Sequence, residues 1–395
     1  MKKNHLSILL LGTALCPLLI GCGCDIRIGD WQRAKYEREI ARQAPLAPGS
    51  TVVVETKSGS ITVVGSDVAD CNVTANITAR ATTDEQAKQL AEQVKLVLEP
   101  AGDTLKVRVD KPAAKRARSI SVSFDITVPK QTSVDCSSAY GPIRVTDLEG
   151  NTKAKTSSGA IDAANIQGST LLETSYGRVT CENISGDSIR LKSSSGDITT
   201  ENIRGTADFD TAYGSITCED FADGDLNLDT KSGKIALTDV SAGNCDAHTA
   251  YGGIRVAELS ADSVTLDSGS GGIDVINTSA KTTNLTTAYG RVRCRDITTN
   301  DLTAKSGSGN IEITCSQSAP TEMSASAVSS YGSVEFVAPP GFAGQVDLAT
   351  SYGSIKTDLP ITITGELTKK KLSGKIGEGK GRLHLETKSG SVNLR

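Results

Sequence analysis

Bulky aromatic side chains are scarce in this chain. They make up 4% of its 395 residues, with one Trp and five Phe, and all hydrophobic residues together reach only 37%. Such a composition does not suit the wide core of a large α/β enzyme. The 38 Gly residues and the many Thr and Ser residues instead favour short strands joined by tight turns.

Residues and motifs that usually carry catalysis or metal binding are also few. After the N-terminal region, His occurs only at His248 and His384, and the sequence has no CxxC pair, nucleophile elbow, zincin motif or phosphate-binding loop. The net charge is −4, and the sequence has no basic patch of the kind that binds nucleic acid. We interpret the basic cluster at 369–371 as a solvent-exposed end of the molecule. We therefore expect no catalytic residues, no metal, no cofactor and no nucleic-acid partner.

The chain begins with a secretory signal pattern. Lys2 and Lys3 precede an apolar run over 6–20, which is too short for a good membrane-spanning helix. The run ends in the sequence LIGC, which resembles the bacterial lipobox and predicts removal of residues 1–21 and acylation of Cys22 by palmitate-type chains. An ordinary signal peptide with an incidental Cys is the alternative. By resemblance to known lipoproteins, Gly23 in place of Asp implies the outer membrane.

Two segments separate this signal from the rest of the chain. Residues 22–50 are charged and have no large apolar face, so we interpret them as a lipid-anchored linker that includes at most a short helix ending at Pro45. Residues 51–135 predict strands and one helix over 83–98, in which Thr83 and Gln86 form a capping-box pattern. We expect this small α+β segment to start the main fold.

From residue 136 to residue 395 the sequence repeats. A phrase of small residue, Tyr or Ser, Gly, any residue, and Ile or Val recurs, with its Gly residues 18 or 19 positions apart from Gly141 to Gly309. Later units at Gly332, Gly353, Gly374 and Gly390 are less regular. Each unit contains two short alternating strands and two turns, which cannot bury an apolar face alone but can do so by stacking. The repeat predicts an all-β fold, a parallel β-solenoid of about 12 to 14 two-strand coils.

Seven of the eight Tyr residues occupy the position directly before the repeated Gly. With one unit per coil, which we favour, these Tyr residues lie about 9.6 Å apart, two strand spacings, with a Ser between them. With two units per coil, Tyr stacks on Tyr, and Cys181 and Cys218 come close enough to form a disulfide, which the single-unit coil forbids. These residues are Tyr140, Tyr176, Tyr213, Tyr251, Tyr289, Tyr331 and Tyr352.

The row of Tyr residues has two interpretations. We favour rings that pack over the coil corner and protect its backbone. The other interpretation is a binding strip whose rings stack on sugars or adhere to a surface.

A resemblance to a known family extends over about residues 50–395. It is carried by the repeated phrases SSGAI, SYGRV, SSGDI, AYGSI and KSGKI and by two upstream segments, TKSGSITVVGSD and SFDITVPKQTSVDCSSAYGPI. The chain resembles a bacterial domain-of-unknown-function family of β-strand-repeat proteins described as candidate adhesins. The resemblance implies a β-solenoid at the cell envelope and supplies no catalytic residues. The Tyr-Gly phrases and the length of the array depart from the family's common Ser-Gly-Asp form.

The sequence therefore predicts a non-enzymatic cell-envelope lipoprotein that acts as a structural or binding module, as in an adhesin. Its expected partners are the membrane, through the N-terminal lipid, and a cell-surface glycan or an envelope protein. The alternative is an envelope polysaccharide-processing β-helix enzyme, since such enzymes need only carboxylates and basic residues in a groove. A scaffold for a sensor partner is a third hypothesis.

Overall fold

The computed structural model describes residues 34–111 and 119–395, so the predicted signal peptide and the predicted lipidation site at Cys22 lie outside the described residues. Within the described ranges the chain forms strands of one continuous sheet and a single α-helix. The N-terminal elements are β1 Ala34–Pro45, β2 Thr51–Thr56, β3 Ile61–Ser66, β4 Asp70–Ala81, α1 Asp84–Glu92, β5 Lys95–Ala101, β6 Thr104–Asp110 and β7 Ile120–Pro129.

The central elements are the strands of the regular repeat. They are β8 Ser133–Ser138, β9 Ile143–Leu148, β10 Thr152–Thr156, β11 Ile161–Ile166, β12 Thr170–Thr174, β13 Val179–Ser193, β14 Ile198–Thr211, β15 Ile216–Thr230, β16 Ile235–Thr249, β17 Ile254–Ser268, β18 Ile273–Thr287 and β19 Val292–Ser306. The C-terminal strands are β20 Ile311–Cys315, β21 Ser324–Ser329, β22 Val334–Val337, β23 Gly344–Thr350, β24 Ile355–Thr357, β25 Thr362–Leu367, β26 Lys371–Ile376, β27 Gly381–Thr387 and β28 Val392–Leu394.

The prediction of an all-β parallel solenoid with coils of about 19 residues is confirmed. The array has about 11 turns and not the predicted 12 to 14, because strands such as β25 and β26 pair antiparallel at its end and form no further coil. Equivalent residues of successive units face each other in parallel register, as in Ile216 with Ile235 and Ile235 with Ile254. These Ile residues are at most 2% exposed, so the apolar sides of neighbouring coils form one continuous ladder. One repeat unit therefore makes one coil, as favoured from the sequence.

Each coil bends within its long strand. The bend falls on an Asp, Asn or Glu with φ between 50° and 61°, a left-handed conformation that Asn and Asp adopt more readily than most residues. The bend residues stack from coil to coil, and they are Asp147, Asn165, Asn183, Asn202, Asp220, Asp239, Glu258, Asn277 and Asp296. In β15 this bend precedes the polar residues 223–225, and the two short strands predicted for each unit merge there into one bent strand.

The N-terminal end of the solenoid is assembled out of chain order. β2 lies between β6 and β8, and β3 lies between β7 and β9, all in parallel. β4 then runs antiparallel to β7, and β1 runs antiparallel to β4. α1 contacts both of these strands and buries Ala87, Leu90 and Ala91. This layer covers a sheet end that would otherwise present unpaired backbone groups.

Two sequence predictions need correction at this end. Residues 34–45 of the predicted linker over 22–50 form β1, in which Ala34, Tyr36 and Ile40 alternate with charged residues and pack against the core. The helix is shorter than the predicted 83–98, because β5 begins at Lys95. The capping prediction at Thr83 is confirmed, since its Oγ1 accepts a hydrogen bond from the Gln86 N–H at 3.3 Å.

The C-terminal end also departs from chain order. The last strand, β28, lies between β22 and β24, and β27 lies between β21 and β23. β26 runs antiparallel to β23, and β25 runs antiparallel to β26. Gly374 lies inside β26, so the prediction of a coil corner there is wrong. No helix in the described part of the chain is long and apolar enough to span a membrane.

The Cys residues that the structure describes behave as small core side chains. They are all buried and free, and Cys181 is separated from Cys218 by Thr200 of the coil between them. Burial raises the pKa of the Cys136 thiol to about 12, which keeps it protonated and unreactive. The disulfide pairing that a two-unit coil would allow is therefore excluded. The described residues are Cys71, Cys136, Cys181, Cys218, Cys245, Cys294 and Cys315.

Candidate binding site along the solenoid corner

A buried hydroxyl three residues before each repeated Gly builds the coil corner. Thr230 Oγ1 donates to the carbonyl oxygen of Gly214 at 2.9 Å and accepts from the N–H of Gly233 at 3.1 Å. Thr249 does the same one coil later, bonding to the carbonyl oxygen of Gly233 at 3.0 Å and to the N–H of Gly252 at 3.0 Å. Each hydroxyl thus satisfies two buried backbone groups and ties one coil to the next.

This hydroxyl column runs along the solenoid. Its members donate to the Gly of the preceding coil at 2.7–3.4 Å, and they are Ser138, Thr156, Thr174, Ser193, Thr211, Thr230, Thr249, Ser268, Thr287, Ser306, Ser329, Thr387 and Thr350. The sequence reasoning missed them. The signal was present as a Ser or Thr three positions before every corner Gly.

The repeated Gly is required for close approach. A Cβ on Gly233 would overlap the carbonyl oxygen of Gly214, and a Cβ on Gly252 would overlap that of Gly233. Among the described corner glycines only Gly59 has a positive φ, 122°. Close approach of the backbone therefore explains the Gly throughout the array, and a positive φ adds to this requirement only at the first coil.

The seven Tyr residues before these glycines form a single row, which we call the tyrosine strip. Backbone hydrogen bonds set the order of the row: the N–H of Tyr213 donates to Ser194 of the coil before it, and the N–H of Ser232 donates to Ala212. Tyr and Ser thus alternate from coil to coil. The strip comprises Tyr140, Tyr176, Tyr213, Tyr251, Tyr289, Tyr331 and Tyr352.

The alternation survives the change of chain order at the C-terminal end. Tyr331 and Tyr352 are consecutive strip residues in the sequence, with no Ser-Gly corner between them. In the structure the N–H of Ser389 donates to Ser330, and the N–H of Tyr352 donates to Lys388, so the Ser389 corner lies between the two Tyr corners. The late β28 coil therefore supplies the Ser that the local sequence lacks.

Every residue of the strip is open to solvent. Six of the seven are 70–73% exposed and Tyr352 is 82% exposed. Rings that packed over the corner would lose most of their surface, so the packing interpretation that we favoured from the sequence does not fit these exposures. The residue before each of these Tyr residues is small, namely Ala139, Ser175, Ala212, Ala250, Ala288, Ser330 and Ser351.

The bend residues form a second column, which the sequence reasoning also missed. Asn165 Nδ2 donates to Asp147 Oδ1 at 2.8 Å, Asn183 Nδ2 to Asn165 Oδ1 at 3.0 Å, and Asn202 Nδ2 to Asn183 Oδ1 at 2.7 Å. The next member is Asp220, whose carboxylate has no hydrogen to donate, and the Oδ1 of Asn202 is buried without a partner. An Asn or Asp recurring at 18 or 19 residues was the available signal.

Three carboxyl groups follow one another in this bend column, at Asp220, Asp239 and Glu258. A hydrogen bond and repulsion from Asp239 raise the pKa of Glu258, because the two groups are stable side by side when they share a proton. They line an open groove and belong to one column along neighbouring coils. The two carboxyls of a glycosidase instead flank the bond that is cleaved. No three His, Cys, Asp or Glu side chains of the described ranges are grouped as metal ligands.

The Toastrack DUF4097 family model matches residues 50–224 and residues 225–395. The chain belongs to this family. The two matches meet inside β15, so two family units share one uninterrupted solenoid. The membership agrees with the resemblance stated from the repeated phrases.

Comparison with solved structures gives weak superpositions. A candidate cell adhesion protein from Clostridium sporogenes is 7% identical, with 90% of this chain and 99% of that chain covered and a TM-score of 0.21. A candidate adhesin from Bacteroides fragilis is 11% identical, with 91% and 97% covered and a TM-score of 0.21. A candidate adhesin from Parabacteroides distasonis is 12% identical, with 91% and 97% covered and a TM-score of 0.25. No curated protein matches the chain.

Proposed function

We propose that this protein is a non-enzymatic, lipid-anchored module of the bacterial cell envelope that binds an elongated surface ligand through the tyrosine strip. The observation that carries the proposal is the exposure of seven aromatic residues in one row, each at least 70% exposed. Large exposed side chains gathered along one edge of a protein often mark an interaction surface. The ligand is a cell-surface glycan or an envelope protein.

The corner is suited to this role because it is rigid. The hydroxyl column and the glycine contacts fix the backbone on either side of each Tyr. A Tyr side chain has few rotatable bonds, so ordering it on a ligand costs little conformational entropy. The small residues beside the strip leave the rings accessible to a long ligand.

Pull-down of solubilised cell-envelope components with the mature protein tests the binding proposal. The double substitution Tyr213→Ser and Tyr251→Ser removes two neighbouring rings and leaves a run of Ser corners. We expect it to lower the recovered envelope material while leaving the melting temperature unchanged. Unchanged recovery would refute the strip as the binding surface, and a large fall in melting temperature would support the packing interpretation instead.

The lipid anchor and the outer-membrane location require a separate test. The lipobox at LIGC and the residue Gly23 support them. We expect the full-length protein to incorporate a palmitate analogue in cells and to fractionate with the outer membrane, and we expect Cys22→Ala to abolish labelling. Labelling that persists in Cys22→Ala would place the acyl chain elsewhere, and a protein recovered from the soluble fraction would contradict the anchor.

A further inference from the structure

The tyrosine strip has a constant step. Adjacent coils are about 4.8 Å apart, so Tyr residues on alternate coils are about 9.6 Å apart. From Tyr140 to Tyr352 the strip makes six such steps, or about 58 Å. Because the step is set by backbone pairing between coils, it is the same along the whole strip.

The constant step indicates a ligand that is itself periodic. A globular partner needs complementary contacts but no equal spacing among them. The spacing of the Tyr residues is kept even at the C-terminal end. There Ser389, which is more than 30 residues downstream of Tyr352 in the sequence, lies between Tyr331 and Tyr352. A linear polymer with a repeat of two strand spacings would contact every ring in the same way, and each added repeat would add an equivalent contact.

Sugar polymers supply both the chemistry and the repeat. A Tyr ring offers an apolar face for the C–H face of a pyranose and a phenolic hydroxyl for its oxygens. In an extended β-1,4-linked chain, each sugar advances about one strand spacing and is turned by about half a turn from the last. The same sugar face therefore recurs at every second sugar, which is the step of the strip. An α-1,4-linked chain curves and does not keep this register.

We propose that the tyrosine strip binds a linear β-1,4-linked glycan, with one disaccharide for every two coils. One sugar of each pair lies on a Tyr ring, and the other lies over the Ser corner, where the short side chain leaves room for a substituent. Ser corners such as Ser232 and Ser270 are exposed and carry hydroxyls that can bond to that sugar. This proposal rests on the proposed function and specifies the class of its ligand.

Calorimetric titration of the mature protein with defined oligosaccharides tests the linkage. The probes are the hexamer of β-1,4-linked N-acetylglucosamine, the hexamer of β-1,4-linked glucose and the hexamer of α-1,4-linked glucose. We expect at least one β-1,4-linked hexamer to bind about tenfold or more tightly than the α-1,4-linked hexamer, and its affinity to rise from dimer to tetramer to hexamer. We expect the triple substitution Tyr213→Ser, Tyr251→Ser and Tyr289→Ser, which leaves at most two neighbouring rings, to weaken hexamer binding about tenfold, as for the loss of an aromatic contact.

A variant with altered ring spacing tests whether binding depends on the spacing of the rings or only on their number. The triple variant Ser195→Tyr, Ser232→Tyr and Ser308→Tyr adds rings halfway between neighbouring Tyr residues, where the second sugar would lie, so that every three-ring stretch of the strip is interrupted. We expect it to weaken binding of the β-1,4-linked hexamer severalfold, and we expect the control Asp187→Tyr, which adds a ring at an exposed position away from the strip, to leave affinity within about twofold. Stronger binding by this triple variant would overturn the register, because it would mean that any added ring helps.

Two further outcomes would overturn the inference. Equal affinity for α-1,4- and β-1,4-linked hexamers would remove the linkage specificity. Absence of glycan binding, combined with envelope pull-down that still depends on the Tyr residues, would also overturn the glycan assignment but would leave the proposed function standing with a protein ligand. Release of reducing ends from a bound glycan would instead contradict the non-enzymatic role and favour the polysaccharide-processing alternative.

Discussion

At the scale of single residues, three positions of each repeat act as a unit. The Ser or Thr hydroxyl satisfies the corner backbone, the Gly allows neighbouring coils to touch, and the residue directly before the Gly faces solvent. Because the first two positions fix the backbone, the third is free to be Tyr or Ser without a structural penalty. The exposure of the Tyr residues therefore agrees with the proposed binding role.

The glycines at 252 and 253 provide a matched pair for testing this account. A Cβ at Gly252 would overlap the Gly233 carbonyl oxygen, whereas a Cβ at Gly253 would have its nearest neighbour, the Gly272 carbonyl oxygen, at 3.2 Å. We expect Gly252→Ala to lower the free energy of unfolding by about 1–3 kcal/mol or more, as for other overpacked cores. Gly253→Ala should cost clearly less.

Urea denaturation of both variants measures this difference. If Gly252→Ala and Gly253→Ala lose similar stability, the corner backbone is able to move apart at little cost. The rigidity assigned to the tyrosine strip would then be wrong.

At the scale of elements, the bend column makes the stability of the fold depend on pH, because residues at the same position of successive coils lie next to each other. Asn residues bond along the column, since each has a donor and an acceptor. Consecutive carboxylates have only acceptors, so they repel unless one is protonated. The raised pKa of Glu258 means that the folded protein holds this proton more tightly than the unfolded chain does. The contribution to stability is therefore present at low pH and is lost as the pH rises through the raised value.

Asp239→Asn tests this linkage. The Asn side chain restores a donor next to Glu258 and tolerates the φ of 53° at this position. We expect the variant to be more stable than the natural protein at pH 7, and we expect the advantage to shrink as the pH falls toward 4.5, the ordinary pKa of Glu. Urea denaturation across this pH range is the measurement. Asp187→Asn on another coil is the control for net charge, and an equal pH-dependent gain there would contradict the local explanation.

The strands of consecutive coils were predictable from the sequence, whereas the ends were not. In the regular array each unit pairs with the unit next in the chain, so residues such as Ile216 and Ile235 identify the inward face and the register. The phrase at Gly390 has the same residues as any other corner, and nothing local states that it stacks between Gly332 and Gly353. β1 was missed because charged residues mask the alternation of Ala34, Tyr36 and Ile40.

The position of the candidate site was predictable from the sequence, but the orientation of its Tyr rings was not. The sequence places the seven Tyr residues before the corner Gly, and the alternation with Ser favours the correct coil size. The repeat pattern does not indicate whether the rings lie over the backbone or point into solvent. The exposure of the side chains in the structure answers this question. The hydroxyl column was visible as a periodic Ser or Thr, but its double hydrogen bond becomes evident only when two coils are stacked.

At the scale of the whole molecule, both ends of the solenoid are closed by segments from outside the regular order. Interior coils contact mainly their two neighbours. The stability of such an array is therefore largely the sum of the stability of each coil and of its contacts with the adjacent coils. β27 and β28 differ, because each completes the ladder between strands that precede it in the chain. These two strands also bury Leu383, Leu385, Val392 and Leu394.

Removal of residues 381–395 should therefore disrupt the C-terminal end selectively. The truncated protein loses the coil that separates β22 from β24, so β23 to β26 lose their support. We expect hydrogen exchange of amides in 344–376 to become fast, while amides of β13 to β18 remain protected, since each interior coil keeps both neighbours. Hydrogen exchange followed by mass spectrometry measures both regions in one experiment. Uniform loss of protection along the chain would mean that the solenoid unfolds as one cooperative unit, and unchanged protection in 344–376 would mean that β27 and β28 do not hold that end together.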